Sequence, residues 1–241
     1  MNNWTAPQRP NSYAEHMLIN AILDGDFPPG SSLPGERDLA VQLGVTRPTL
    51  REAIQRLARD GWLTVQQGKA TAVNNIWQDG GLNVLSGLVR HSEHLPPGFI
   101  TNLLEVRLHL APVYTARAVA LAAEVLHEFL QSQAILPDEA AAFAHFDWQL
   151  HRLLTQQCGN PIYGLILNGF TDFYEQLARL YFAPHASRAA SRAYYAELAT
   201  AVAQQDPTLA EAVTRRAMQE SIELWQEARA ISEQWAVGSE R

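Results

Sequence analysis

The chain of 241 residues has one cysteine and one lysine, and both shortages narrow what it can do. A single thiol, Cys158, cannot close an internal disulfide or build a thiolate metal site, which suits a reducing compartment. No apolar run reaches the roughly 18 residues that a bilayer crossing needs, and the opening MNNWTAPQRPNSYAEH lacks the apolar segment of a secretory signal. The expectation is a cytoplasmic protein without membrane contact. Phosphate loops, dinucleotide fingerprints and nucleophile elbows are missing, and Cys158 before GNP reads as an inert small residue, so no enzyme chemistry is expected. What is present is ordinary for a packed globule: 47% apolar and 18% charged residues, in a length that favours two domains over one.

Charge is unevenly placed. Of 18 Lys/Arg and 25 Asp/Glu, seven of each fall in residues 1–74, so the formal charge of −7 belongs wholly to residues 75–241. Between positions 47 and 69, Arg47, Arg51, Arg56, Arg59 and Lys69 face only Glu52 and Asp60, a surplus of three positive charges. A basic patch on an acidic chain suits a polyanion held at one place, against the plainer reading of a solvated helix face.

Periodicity sharpens this. YAEHMLINAILDG sets Tyr13, Met17, Leu18, Ala21 and Ile22 on one helical stripe. GERDLAVQLG makes a second short helix on Leu39, Ala40 and Leu43, with Gly44 at a tight turn. A third opens at Thr46, a good N-cap, and carries Leu50, Ile54 and Leu57 inward until Gly61. The β-prone runs WLTVQ and TAV then flank QGKA, a hairpin with its glycine and lysine at the tip. Together these read as a winged helix-turn-helix. On the third helix Arg47, Arg51 and Gln55 form an outward row at i, i+4, i+8. Such a row fits the major groove, where arginine can donate twice to guanine. Thr46 and Thr49 suit phosphate oxygens at the helix start, Pro48 stiffens that start, and Lys69 reaches a neighbouring groove or phosphate.

The run FPPGSSLPGERDLAVQLGVTRPTLREAIQRLARDGWLTVQQGKAT resembles the DNA-binding domain of the GntR family of transcriptional regulators, and VNNIWQDGGLNVL and GNPIYGLILNG resemble its fatty-acid-responsive members over essentially the whole chain. The resemblance implies double-stranded operator DNA as a partner, contacted through Arg37, Thr46, Arg47, Pro48, Thr49, Arg51, Gln67 and Gly68. Pro48 replaces a threonine common in the family, and Gln67 a histidine common in its fatty-acid-responsive members. It also implies a homodimer that represses fatty acid degradation genes, activates unsaturated fatty acid synthesis genes, and leaves DNA when long-chain acyl-CoA binds. No cofactor is implied.

After residue 75 the pattern is helical throughout, giving a mostly α chain: residues 1–74 as winged helix-turn-helix, a linker at 75–81, and an all-α seven-helix bundle at 82–235. Helices are expected at about 82–94, 98–123, 124–135, 138–157, 161–183, 187–204 and 207–234, with Pro112 kinking or splitting the second. Asp206 caps the last, whose inward face is read as Ala212, Met218, Ile222 and Trp225. Phe170, Phe173, Tyr174, Leu177 and Tyr181 make an aromatic stripe that spacing alone assigns to core. The family resemblance instead implies an acyl chamber there, with effector-binding positions at Arg107, Tyr181, Arg215, Ser221 and Trp225. Met218 stands where those relatives have a glycine that lets the ligand approach, so its side chain is expected to obstruct.

A different effector chemistry is possible at FDWQLHRLL, where Asp147 and His151 lie one turn apart and could ligate a metal holding a small carboxylate. Other GntR relatives complete such a pair with two later histidines, but here those positions fall near Tyr195 and Ala217. An Asp147–His151 hydrogen bond is the simpler reading, with no metal. His145 points elsewhere, and His16, His91, His94, His109, His127 and His185 show no ligand spacing.

Overall fold

The computed structural model describes the backbone of residues 10–91 and 95–238 and the side chains of 12–91 and 95–229. The chain divides into two compact units, Met1–Leu95 and Pro96–Arg241.

In the first unit, α1 (Pro10–Leu23), α2 (Glu36–Leu43) and α3 (Arg47–Asp60) precede β1 (Leu63–Thr64) and β2 (Ala72–Val73). The α1 stripe keeps the expected Leu18 and Ile22 and departs from the expectation at its start. Tyr13 is exposed, and Ala14, Leu18, Ile19 and Ile22 are buried, so the face that meets α3 is set by small and branched residues rather than by the tyrosine. Gly44 joins α2 to α3 at φ 66°, left-handed backbone that costs a side-chain-bearing residue strain. From there α3 starts as expected: Thr46 caps it by accepting the Thr49 N–H at 3.3 Å, and Leu50, Ala53, Ile54 and Leu57 are buried. β1 and β2 pair antiparallel, Leu63 opposite Val73 and Thr64 opposite Ala72. The segment before α2 bonds along the other edge of β2, with Leu33 N–H to Thr71 O and Gly30 N–H to Val73 O, both at 2.8 Å.

Two further helices, α4 (Ile76–Asp79) and α5 (Asn83–Arg90), belong to this unit. They occupy the span expected as linker and first bundle helix. The reason is a close approach: a Cβ on Gly87 would sit 2.6 Å from Trp62 Cζ2, so α5 lies directly on the buried indole. The end of the expected 82–94 helix, with His94, lies outside the described residues.

The second unit holds α6 (Phe99–Gln131), a 3-10 turn (Ser132–Ile135), α7 (Ala140–Gln157), α8 (Pro161–Asn168), α9 (Tyr174–Tyr181), α10 (His185–Ala203) and α11 (Pro207–Gly238). Pro112 is accommodated inside α6, and the non-helical residue is Ala122 (φ −147°, ψ 40°), beside the boundary expected at 123/124. The expected helix 161–183 is divided. Tight i→i−3 bonds, such as Phe173 N–H to Phe170 O at 3.2 Å, turn the chain between α8 and α9 and still bury Phe173, which helical spacing had already pointed inward. Asp206 caps α11 by accepting the Leu209 N–H at 2.9 Å. On α11 Ala212 is exposed while its neighbours Val213 and Thr214 are buried. Met218 and Ile222 face inward and Trp225 is half-buried, so the buried stripe is one step from the residue expected at its start. Phe143, Leu150, Leu154, Tyr195, Leu198 and Val213 form the middle of the core. Among the described residues no helix is long and apolar enough to cross a membrane.

Candidate DNA-reading surface and effector cavity

The first unit sorts its arginines by partner. Arg56 is tied to Glu15 at 3.0 Å and to Glu52 at 2.5 Å, and Arg59 to Asp60 at 2.8 Å, so two of the five cations between 47 and 69 are compensated within the unit. Those bonds raise both arginine pKa values, led for Arg56 by the Glu52 hydrogen bond and for Arg59 by the Asp60 hydrogen bond. Arg47, Arg51 and Gln55 lie exposed along α3, as the row at i, i+4, i+8 requires. Arg51 is 71% exposed and only 3.7 Å from Glu36; Arg37 is 78% exposed beside Asp38. Arg47 and Lys69 have no ion pair among the described residues. Pro48 sits exposed in the first turn and Thr49 is half-buried, its N–H already held by the Thr46 cap. Gln67, Gly68 and Lys69 are exposed at the hairpin tip.

In the second unit, α6, α7, α8 and α9 enclose an apolar cavity of about 120 Å³. All five residues of the aromatic stripe, Phe170, Phe173, Tyr174, Leu177 and Tyr181, stand in its wall, with Leu103, Leu110, Tyr163 and Ile166 opposite. A stripe read as core by spacing is therefore core that stops short of closing. Arg107 and Tyr181 also line a much smaller polar pocket with Met218 and Ser221. Four of the six effector positions thus converge. Met218 is buried in that pocket's wall rather than in the apolar cavity, and its carbonyl accepts from Ser221 Oγ at 2.6 Å. Arg215 does not join them: it is exposed and pairs with Glu211 at 2.7 Å. Trp225 packs at the edge of the core, with its Nε1 buried and unpartnered among the described residues.

Beside the cavity lies a buried ionic knot that sequence spacing had shown only in part. Arg107 Nη2 donates to Asp147 Oδ2 at 2.7 Å and to His151 Nε2 at 2.5 Å. Tyr174 and Tyr195 donate their hydroxyls to Asp147 at 2.6 and 2.9 Å, and Tyr114 bonds His151 Nδ1 at 2.6 Å. Asp147 and His151 do not hydrogen-bond directly; they are 3.7 Å apart and bridged by the guanidinium. Burial is the largest single influence on Asp147 and works against its charge, but its neighbours taken together, Arg107 foremost and then the Tyr174 and Tyr195 hydroxyls among them, exceed it and hold the carboxyl below its usual range. Burial likewise opposes the charge on Arg107 more strongly than any one neighbour favours it, and Asp147 together with the surrounding tyrosines reverses that. Burial and then the arginine charge press His151 down to about 3, so its imidazole is neutral. The space between the Asp147 and His151 side chains, where a shared cation would sit, is filled by the arginine. Among the described residues no group of three His, Cys, Asp or Glu is placed to hold a metal. His145 instead pairs with Glu175 at 3.0 Å, and Cys158 is buried with its thiol toward Thr155 O. Sequence reasoning missed Tyr114 and Tyr174 as parts of the knot. The available signal was the i, i+3, i+7 spacing of Arg107, Leu110 and Tyr114 on α6.

The chain matches two family models: bacterial regulatory proteins of the gntR family over residues 11–73, and the FadR C-terminal domain over 74–234. The junction of the two models falls beside the expected linker, although the compact first unit runs on to Leu95. The chain is 45% identical over 193 residues to the fatty acid metabolism regulator protein of Cronobacter sakazakii, covering 80% of this chain and 81% of that protein. It is 41% identical over 218 residues to the protein of the same name from Salmonella paratyphi C, covering 90% and 91%. Among solved structures it resembles Lar, which controls expression of the Listeria monocytogenes agr system, with a TM-score of 0.58 over 92% of this chain and 98% of that one; at 16% identity this is a likeness of fold. These domains and relatives are those of transcriptional regulators, not enzymes. The chain belongs to the gntR family of bacterial regulatory proteins, in the FadR type that regulates fatty acid metabolism.

Proposed function

We propose that the chain acts as a homodimer that binds operator DNA and is released by long-chain fatty acyl-CoA, repressing fatty acid degradation genes and activating unsaturated fatty acid synthesis genes. Two recognition helices are needed for a two-fold operator, which makes the dimer the working species. Arg47 and Arg51 read base edges from α3, Thr46, Pro48 and Thr49 set its first turn against the backbone, and Arg37, Gln67, Gly68 and Lys69 contact phosphates or the neighbouring groove. The observation that carries the effector reading is the apolar cavity walled by α6 to α9, joined through Arg107 and Tyr181 to a polar pocket at Met218 and Ser221. An acyl chain suits the first and the polar end of its carrier suits the second, with Arg215 and Trp225 toward the outside. The metal-held carboxylate alternative loses support because Arg107 already occupies the place between Asp147 and His151. The change in spacing between the dimer's DNA-binding units has to pass from the second unit, which begins at Pro96, to the first, which includes residues 75–81. Ligand binding can shift that equilibrium only by the difference in its affinity for the two states, and the effect is reciprocal. Calorimetric titration with acyl-CoAs of several lengths, with and without operator, tests this. Acyl-CoA should weaken operator binding and operator should weaken acyl-CoA binding by the same factor; binding of both without mutual effect defeats the release mechanism.

A further inference from the structure

The ionic knot fixes the direction of every hydrogen bond along one line, and the line ends at the cavity. A guanidinium carries donors only, so at the 2.5 Å contact with Arg107 the His151 Nε2 must be the acceptor. The neutral imidazole then carries its proton on Nδ1, which donates to the Tyr114 oxygen at 2.6 Å. Tyr114 therefore accepts from His151 and keeps its own O–H proton to give. That residue is only 5% exposed, has no second hydrogen-bond partner among the described residues, and stands in the wall of the apolar cavity. A buried donor of this kind pays for its desolvation unless an acceptor meets it. A plain hydrocarbon segment offers none.

Tyr114 also sits at a defined depth. It lies seven residues beyond Arg107 on one face of α6, roughly 10 Å along the helix axis, while Arg107 is one of the two residues, with Tyr181, that the cavity shares with the polar pocket. The donor is thus inside the cavity rather than at the junction.

We propose that the Tyr114 hydroxyl is a specificity-determining donor for an oxygen atom carried by the acyl group, either its carbonyl or a hydroxyl on the chain. The inference rests on the cavity being the acyl site. Binding of hexadecanoyl-CoA, of its thioether analogue hexadecyl-CoA, which lacks the carbonyl, and of 3-hydroxyhexadecanoyl-CoA is measured on the full-length protein and on Tyr114→Phe. If the carbonyl is the acceptor, the thioether binds the wild type roughly three- to tenfold more weakly than the thioester, and the difference vanishes in Tyr114→Phe. If a chain hydroxyl is the acceptor, the hydroxyacyl compound gains a similar factor in the wild type alone. Either pattern supports the assignment and identifies the oxygen. Binding of all three compounds with ratios unchanged by Tyr114→Phe overturns it and leaves the acyl site standing. Failure of every compound to bind the wild type overturns both. Because the wild type supplies its own thioester-to-thioether ratio, a Tyr114→Phe protein that does not fold leaves a decision: equal affinity for all three compounds overturns the assignment.

Discussion

Arg51 and Arg107 are the same residue in opposite circumstances. Arg51 stands 71% exposed on α3 with a loose 3.7 Å neighbour in Glu36, whereas Arg107 is 18% exposed and locked against an Asp147 that is 2% exposed. An exposed pair is worth at most about 1 kcal/mol and yields readily to a better anion. A buried charge cannot give up its partner cheaply, because the partner is what makes burial tolerable. The first unit therefore keeps its charges available for a ligand that is itself a polyanion. The second has spent one cation on holding its own polar residues in place, and leaves the adjoining cavity to apolar contact. Which task an arginine serves is set by its surroundings rather than by its side chain.

Salt should separate the two regions most sharply. With about eight cationic contacts per dimer (Arg37, Arg47, Arg51 and Lys69 on each protomer) log affinity for operator should fall against log salt with a slope near −7, shallower where an arginine reads bases; that is on the order of 10⁴-fold between about 50 and 200 mM. Acyl-CoA binding should move far less, and a flat operator slope would remove the polyanion reading of α3. Next comes Asp147→Asn, which leaves Arg107 buried without its counter-charge and should cost about 3–5 kcal/mol in urea denaturation. A loss below about 1 kcal/mol would show the knot to be dispensable. Arg47→Ala should cost about 1–3 kcal/mol of specific operator binding while leaving the unfolding midpoint where it was; the reverse pattern would make Arg47 structural.

Acidity probes the knot more gently. His151 has its folded pKa lowered to about 3, so the unfolded chain takes up this proton first, near pH 6.5. Its stabilising contribution is complete above that pH and is lost as pH falls toward 3, at no more than about 1.4 kcal/mol per unit. The stability gap between wild type and His151→Gln should narrow accordingly below pH 6.5; a gap independent of pH would mean that the imidazole is not held neutral. The smallest effect belongs to Thr46→Ala, which removes the α3 cap and should cost about 1 kcal/mol, read as a drop in the thermal midpoint.

Most of the candidate DNA-reading surface was legible from spacing, because a helix of known start and known inward face has only one outward row left for Arg47, Arg51 and Gln55. The partial exceptions are informative. Tyr13 reads as core by its chemistry, yet it is exposed and its neighbour Ala14 is the buried residue. The split at Phe170–Phe173 was hidden because a tight turn buried Phe173 as well as a helix would have done. The pattern gives residues 75–81 as linker and 82–94 as the first bundle helix, whereas the contact that keeps α5 in the first unit is between Gly87 and Trp62, 25 positions apart. No local rule reports such a contact.

What the sequence settled alone follows from one-dimensional rules: helical and strand periods, the Thr46 and Asp206 caps, the left-handed turn at Gly44, and the uneven charge that leaves one basic patch on an acidic chain. Only the tertiary structure decided that a stripe of aromatic side chains borders a cavity instead of filling it, and that Arg107, Asp147, His151 and three tyrosines from four helices meet in one buried knot. Those outcomes depend on the gap left when helices pack, and on desolvation that acts only after distant residues have closed around a charge.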